Sequence, residues 1–157
     1  MKQHFSEKQW ISFTVGTEVY ALPVMLIREV VDYREPVPVP GSPEQVAGVL
    51  NHRGEVISVL SGPKVLDEKV LDERVSSEAE NPPNRHWRIV VLETAQGLLG
   101  MTVDVVRDIV VIDPEDIYHE NRSDCAECVL GTVRSGDKLL ILIDLSQVVN
   151  GLAQGDN

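Results

Sequence analysis

Three things are scarce in this chain of 157 residues, and each scarcity removes a class of protein. Cysteine occurs only at Cys125 and Cys128. Two thiols are far below the density of a small disulfide-stapled scaffold, and a cytoplasmic chain keeps them reduced. Cations are outnumbered, with 14 Lys and Arg against 25 Asp and Glu for a formal charge of −11. Such a balance repels phosphate backbones and anionic lipid heads, so nucleic acid is not an expected partner. Long apolar runs are missing as well: stretches such as Leu139 to Ile143 fall far short of the roughly 20 residues that cross a bilayer. Met1 to Trp10 carries Lys2 and Lys8 with no apolar run behind them, unlike a secretory signal. The expected location is the cytoplasm, without membrane insertion.

Catalytic groupings are equally sparse. The pair Cys125-Ala126-Glu127-Cys128 has the spacing of half a zinc site or of a redox disulfide. Zinc needs about four ligands and only His119 is near, while a thioredoxin-type pair opens a helix and this one leads into an apolar strand. Two inert thiols are the simpler expectation. His4, His52, His86 and His119 are scattered, with no nucleophile elbow beside them. Gly97 and Gly100 precede a strand pattern and not the helix start that cradles phosphate. The chain is therefore expected to be no enzyme, with no metal and no cofactor.

What is present is a regular series of short Val- and Ile-rich runs, separated by Gly, Pro, Asn and Asp, the signature of strands and turns. Five fall in the first half: Trp10 to Val15, Val19 to Pro23, Ile27 to Tyr33, Ala47 to Asn51 and Glu55 to Leu60. Five more follow: Arg88 to Glu93, Leu98 to Val103, Val106 to Ile112, Val129 to Val133 and Lys138 to Asp144. Between them, Val65, Leu66, Lys69, Val70 and Val75 suggest a short amphipathic helix that decays into an acidic, Pro-containing loop. Leu145 to Val149 reads as a short closing helix.

The halves echo each other. Trp10 opens one and Trp87 the other; Ile27-Arg28-Glu29-Val30-Val31 parallels Val106-Arg107-Asp108-Ile109-Val110; and Gly48 parallels Gly131. The expected architecture is mostly β: a first five-stranded module over 10–62, a helix and acidic linker over 63–86, and a second five-stranded module over 87–150. The two pack as barrel-like sheets, with a groove where they meet.

A few residues stand out against this frame. Pro36 to Pro43 reads as a stiff loop more readily than as a ligand for a proline-binding domain. Glu29, Asp104 and Asp108 fit solvated turn carboxylates better than an acid–base pair, but Glu29 on an apolar strand is an interface candidate. Arg53, in a Gly-terminated turn, is either displayed to a partner or tied internally to Glu29 or Glu55.

Several motifs together resemble the CheW coupling-protein family of prokaryotic chemosensory arrays: Phe13-Thr14-Val15-Gly16, Tyr20-Ala21-Leu22-Pro23-Val24, Ile27-Arg28-Glu29-Val30-Val31, Val39-Pro40-Gly41-Ser42-Pro43, Gly48-Val49-Leu50-Asn51-His52-Arg53-Gly54 and Gly100-Met101-Thr102-Val103-Asp104-Val105-Val106. The match runs from about Trp10 to Val149. The resemblance implies two SH3-like barrels and a non-enzymatic adaptor that couples chemoreceptor cytoplasmic tips to the regulatory domain of the histidine kinase CheA. The receptor-contacting positions it implies are Ile27, Glu29, Gly48, Arg53, Val106 and Ile109. This sequence departs from the family pattern at His52, where a Leu is usual, at Ser61-Gly62-Pro63, and in the length of the acidic segment Asp67 to Asn84. The competing reading is a freestanding β-barrel interaction module of another signalling complex.

Overall fold

Strand after strand, alternation of apolar and polar residues selects which face turns inward. The structure, a computed structural model, describes residues 9–66, 87–118 and 129–145. It contains β1 (Gln9–Val15), β2 (Glu18–Pro23), β3 (Ile27–Asp32), β4 (Val46–His52), β5 (Glu55–Leu60), α1 (Gly62–Val65), β6 (Arg88–Thr94), β7 (Gly97–Val103), β8 (Val105–Val111), β9 (Val129–Ser135) and β10 (Lys138–Ile143). All ten expected strands are there, with ends moved by one or two residues. The acidic linker, Cys125 and Cys128, and the closing helix beyond Leu145 lie outside the described residues.

The connecting helix is described only as the single turn α1. Ser61 caps it, its hydroxyl accepting from the Lys64 N–H at 3.4 Å, and Pro63 sits in the first turn where its missing N–H costs nothing. The Gly62 N–H donates to the Thr102 hydroxyl at 3.0 Å. The unusual Ser61-Gly62-Pro63 therefore has a local purpose: it turns the chain so that Val65 and Leu66 enter the core.

The ten strands form two five-stranded sheets, ordered β8-β1-β2-β10-β9 and β3-β6-β7-β5-β4. These sheets do not follow the halves of the chain. The hairpin β1–β2 sits among β8, β9 and β10, and the hairpin β6–β7 sits among β3, β4 and β5. Segments 10–62 and 87–150 thus each supply strands to both sheets. The physical reason lies in the two parallel pairings, β2 with β10 and β5 with β7. Parallel neighbours need a long crossover, and reciprocal exchange of hairpins provides it. Replacing each strand by the one five places along turns one sheet order into the other, so the internal repeat holds in the topology.

Its register differs from the tryptophan echo by two residues. Val110 pairs with Trp10 while the equivalent Val31 pairs with Ile89, so Trp10 corresponds to Ile89. Trp87 instead lies ahead of β6 and meets Tyr33 edge-on, ring centroids 5.1 Å apart.

Among the described residues, three apolar clusters result. The largest draws Phe13, Tyr20 and Leu22 from one sheet and Leu60, Leu92 and Met101 from the other, so it welds the two barrels together. Each barrel also has its own centre, Trp10 with Val133 and Leu140 in one and Ile89 with Leu50 and Ile57 in the other. Ser12, 3% exposed, is a polar exception in β1. It stands at the bulge between β1 and β8, where its hydroxyl donates to the Asp108 carbonyl at 3.0 Å and accepts the Asp108 N–H at 3.1 Å.

Candidate functional site

In the second sheet the edge strands are β3 and β4, and left alone they would present unpaired backbone groups. On β4 the outer edge is met at Val49, which exchanges two hydrogen bonds with Val37, and at the Asn51 carbonyl, which accepts from Arg34; the turn after β4 adds a side-chain clasp to β3. His52 pairs with Glu55, leaving Arg53 and Gly54 as a two-residue hairpin loop. Both have positive φ, 54° and 84°, the pattern of the turn that matches strand twist. Asn51 holds it, its Oδ1 accepting from the Gly54 N–H at 3.1 Å. Arg53 is the only non-glycine residue with positive φ among those described. A left-handed arginine is strained, and such strain persists where the surroundings over-determine it.

Glu29 on β3 supplies that restraint. The Arg53 Nε donates to Glu29 Oε2 at 2.8 Å and Nη2 to Oε1 at 3.0 Å, a bidentate pair. His52 Nε2 lies 2.8 Å from the same Oε2, with His52 only 8% exposed. Arg53's hydrogen bonds hold the Glu29 carboxyl down to about 2; partial burial opposes this, and the charge of Arg53 and the contact with His52 add to it. A second tie across the seam runs from Arg34 Nη2 to the Asn51 carbonyl at 2.8 Å. The Arg53 side chain nevertheless remains 72% exposed. The internal ion pair and the outward display set against each other from sequence thus coexist.

Gly48 has a different task. Val37, in the stiff proline loop, bridges to Val49 through two hydrogen bonds of 2.9 Å. That brings the Val37 backbone onto the α-carbon of Gly48, where a Cβ would fall on the Val37 carbonyl. The other sheet repeats the device: Tyr118 bridges to Thr132, and Gly131 stands beside Tyr118. Gly48 is buried and acts as a strut behind the Arg53 turn's strand.

Ile27 and Val106, equivalent in the repeat, are half-buried against the cluster between the barrels. Ile109 is 59% exposed on the edge strand β8, flanked by Val105 at 42% and Val111 at 72%. The structure thus brings Glu29 and Arg53 into contact, places Ile27 and Val106 on one apolar core, and leaves Ile109 open.

Asp104 and Asp108 both take part in joining strands, Asp108 through its backbone, which exchanges two hydrogen bonds with the Ser12 hydroxyl. Asp104 latches the β7–β8 corner to the β1–β2 turn, its carboxylate accepting the Gly16 N–H at 2.9 Å and its own N–H donating to Thr14 at 2.9 Å. Burial pushes its carboxyl up, against the Gly16 hydrogen bond. Among the described residues no three His, Cys, Asp or Glu side chains converge on a metal-sized space, and no helix is long and apolar enough to cross a membrane. His52 is a site residue that the sequence marked only as a departure from the family pattern; a histidine at the end of β4, next to Arg53, was the available signal.

Two five-stranded SH3-like barrels joined by exchanged hairpins, with one seam clasped by an exposed arginine, define a double-barrel β fold. Residues 9–153 match the CheW-like domain, and the chain belongs to that family. It is 28% identical to the chemotaxis protein CheW of Helicobacter pylori over 94% of this chain and 86% of that one. It is 24% identical to that of Treponema pallidum over 89% and 81% respectively. The crystal structure of the scaffolding protein TtCheW from Thermoanaerobacter tengcongensis superposes with a TM-score of 0.74 at 24% identity, covering 92% of this chain and 89% of that one.

Proposed function

We propose that this chain is a non-enzymatic adaptor of a chemosensory array, coupling the helical cytoplasmic tip of a chemoreceptor to the regulatory domain of the histidine kinase CheA. The observation that carries the reading is Arg53: a mostly exposed guanidinium on a turn residue of positive φ, clasped by Glu29 beside the edge strands β3 and β4, in a chain of the CheW-like family. A helical tip docks by laying apolar side chains against such strands. Ile27, Val106 and Ile109 supply the apolar wall; Arg53 supplies a planar fork for carboxylates or carbonyls on the helix. Glu29 holds the fork at the surface until a partner's group takes it, and Gly48 supports the strand behind it. Array contacts of this kind work by avidity, each modest and many together. The place of action is the cytoplasm, where receptor tips and kinase meet.

Co-sedimentation with a receptor signalling fragment and the kinase tests this. Recovery of all three together is the expected result, and recovery of neither partner sinks the reading. Arg53→Ala is expected to weaken receptor binding at least about tenfold, the scale of an interface arginine. Arg53→Lys restores only part, because an ammonium lacks the fork.

A further inference from the structure

The clasp on Glu29 has two donors of very different character. His52 is 8% exposed and pinned in the β4–β5 ladder opposite Glu55. Arg53 sits at the tip of the turn with its side chain 72% exposed. Both address Oε2 of Glu29, and Arg53 also covers Oε1. One donor is packed within the sheet, and the other stands mostly in solvent, where a partner's anion can reach it.

We infer that His52 makes Arg53 detachable: when the guanidinium moves onto a partner's carboxylate, the imidazole keeps Glu29 hydrogen-bonded, so Arg53 leaves without orphaning the carboxylate behind it. This rests on the coupling-adaptor reading of Arg53. The physical basis is the asymmetry of hydrogen-bond loss. A partly buried charged acceptor stripped of all donors is costly, whereas one that keeps a donor and some water is not. Glu29's side chain is 26% exposed, enough for water to reach Oε1 once Arg53 departs, while Oε2 faces the buried imidazole. With leucine at position 52, every departure of Arg53 would leave Glu29 with no side-chain donor among the described residues. The guanidinium would then stay bound internally and partner binding would weaken. His52 is thus a positioning residue that acts through Glu29, and the partner group it suits is an anion that competes for the same fork.

Two measurements test this on the full chain. The first needs no partner: a double-mutant cycle between Glu29→Gln and His52→Leu, read from urea midpoints, in the wild-type and Arg53→Ala backgrounds. The coupling of His52 to Glu29 is expected to survive Arg53→Ala; its disappearance there overturns the inference. The second titrates a receptor signalling fragment. His52→Leu is expected to weaken binding about tenfold with Arg53 intact, the loss of one charge-assisted hydrogen bond. His52→Gln, which keeps a neutral donor, should restore it. Equal affinity of wild type and His52→Leu overturns the inference while leaving the adaptor reading standing. No binding by wild type removes the adaptor reading, and the cycle still decides whether His52 holds Glu29 alone.

Discussion

Adding one methyl group at Gly48 should destabilise the protein more than removing any exposed charge. A Cβ built there would overlap the Val37 carbonyl oxygen, lie 2.6 Å from the carbonyl carbon and 3.0 Å from Pro36 Cβ. Backbone cannot rotate away as a side chain can, so the Val37 segment must retreat by about 1 Å to reach ordinary carbon contact distance. That retreat breaks the two 2.9 Å hydrogen bonds between Val37 and Val49, each worth about 1 kcal/mol net. Overpacking adds about 1 to 3 kcal/mol. Gly48→Ala should therefore cost at least about 3 to 5 kcal/mol, a large part of a typical domain's stability, and the positive φ of Gly48, 154°, adds backbone strain to this. Urea unfolding followed by tryptophan fluorescence measures it. Gly54→Ala is the control: its Cβ meets nothing within 4 Å, so only the positive φ is penalised, by about 1 to 2 kcal/mol. If Gly48→Ala unfolds within about 1 kcal/mol of wild type yet loses receptor binding, Gly48 is a contact residue and the strut argument is wrong.

Three further outcomes follow from the charges and the exposed edge. Glu29's folded-state carboxyl lies below its ordinary value of 4.5, at about 2, so its stabilising effect is complete above 4.5 and is lost as pH falls toward 2. Glu29→Gln should flatten that part of the acid-unfolding curve, and an unchanged curve would refute the clasp. Asp104's carboxyl is raised by burial, so the folded state takes its proton at a higher pH than the unfolded chain does. The stability difference between Asp104→Asn and wild type should accordingly favour the variant most at neutral pH and shrink as pH falls through the carboxyl range; a constant difference in urea midpoint refutes this. Ile109→Asp, at a 59% exposed position, should shift stability by less than about 0.5 kcal/mol yet reduce receptor-fragment binding, and a marked loss of stability would place Ile109 in the packing instead. Ile27 is the poorer probe, because it packs against the inter-barrel core and a charge there would weaken fold and binding together.

Periodicity in the sequence was enough to place ten strands and their turns, because each strand must show one apolar face whatever its neighbours are. The same logic located the Arg53-Gly54 turn, and the CheW-like motifs singled out Glu29 and Gly48. Pairing was another matter. A strand's pattern says which side is buried and not which strand lies beside it, so the exchange of β1–β2 for β6–β7 was invisible, and Trp10 and Trp87 looked equivalent when the register equates Trp10 with Ile89. The clasp depended on the same missing information. Glu29 and His52 are separated by a strand end, the proline loop and β4, and they meet only because β3 and β4 become opposite edges of one curved sheet. Local residue preferences act over a few positions, whereas closure of a barrel is decided by long-range packing, and that is where this site was made.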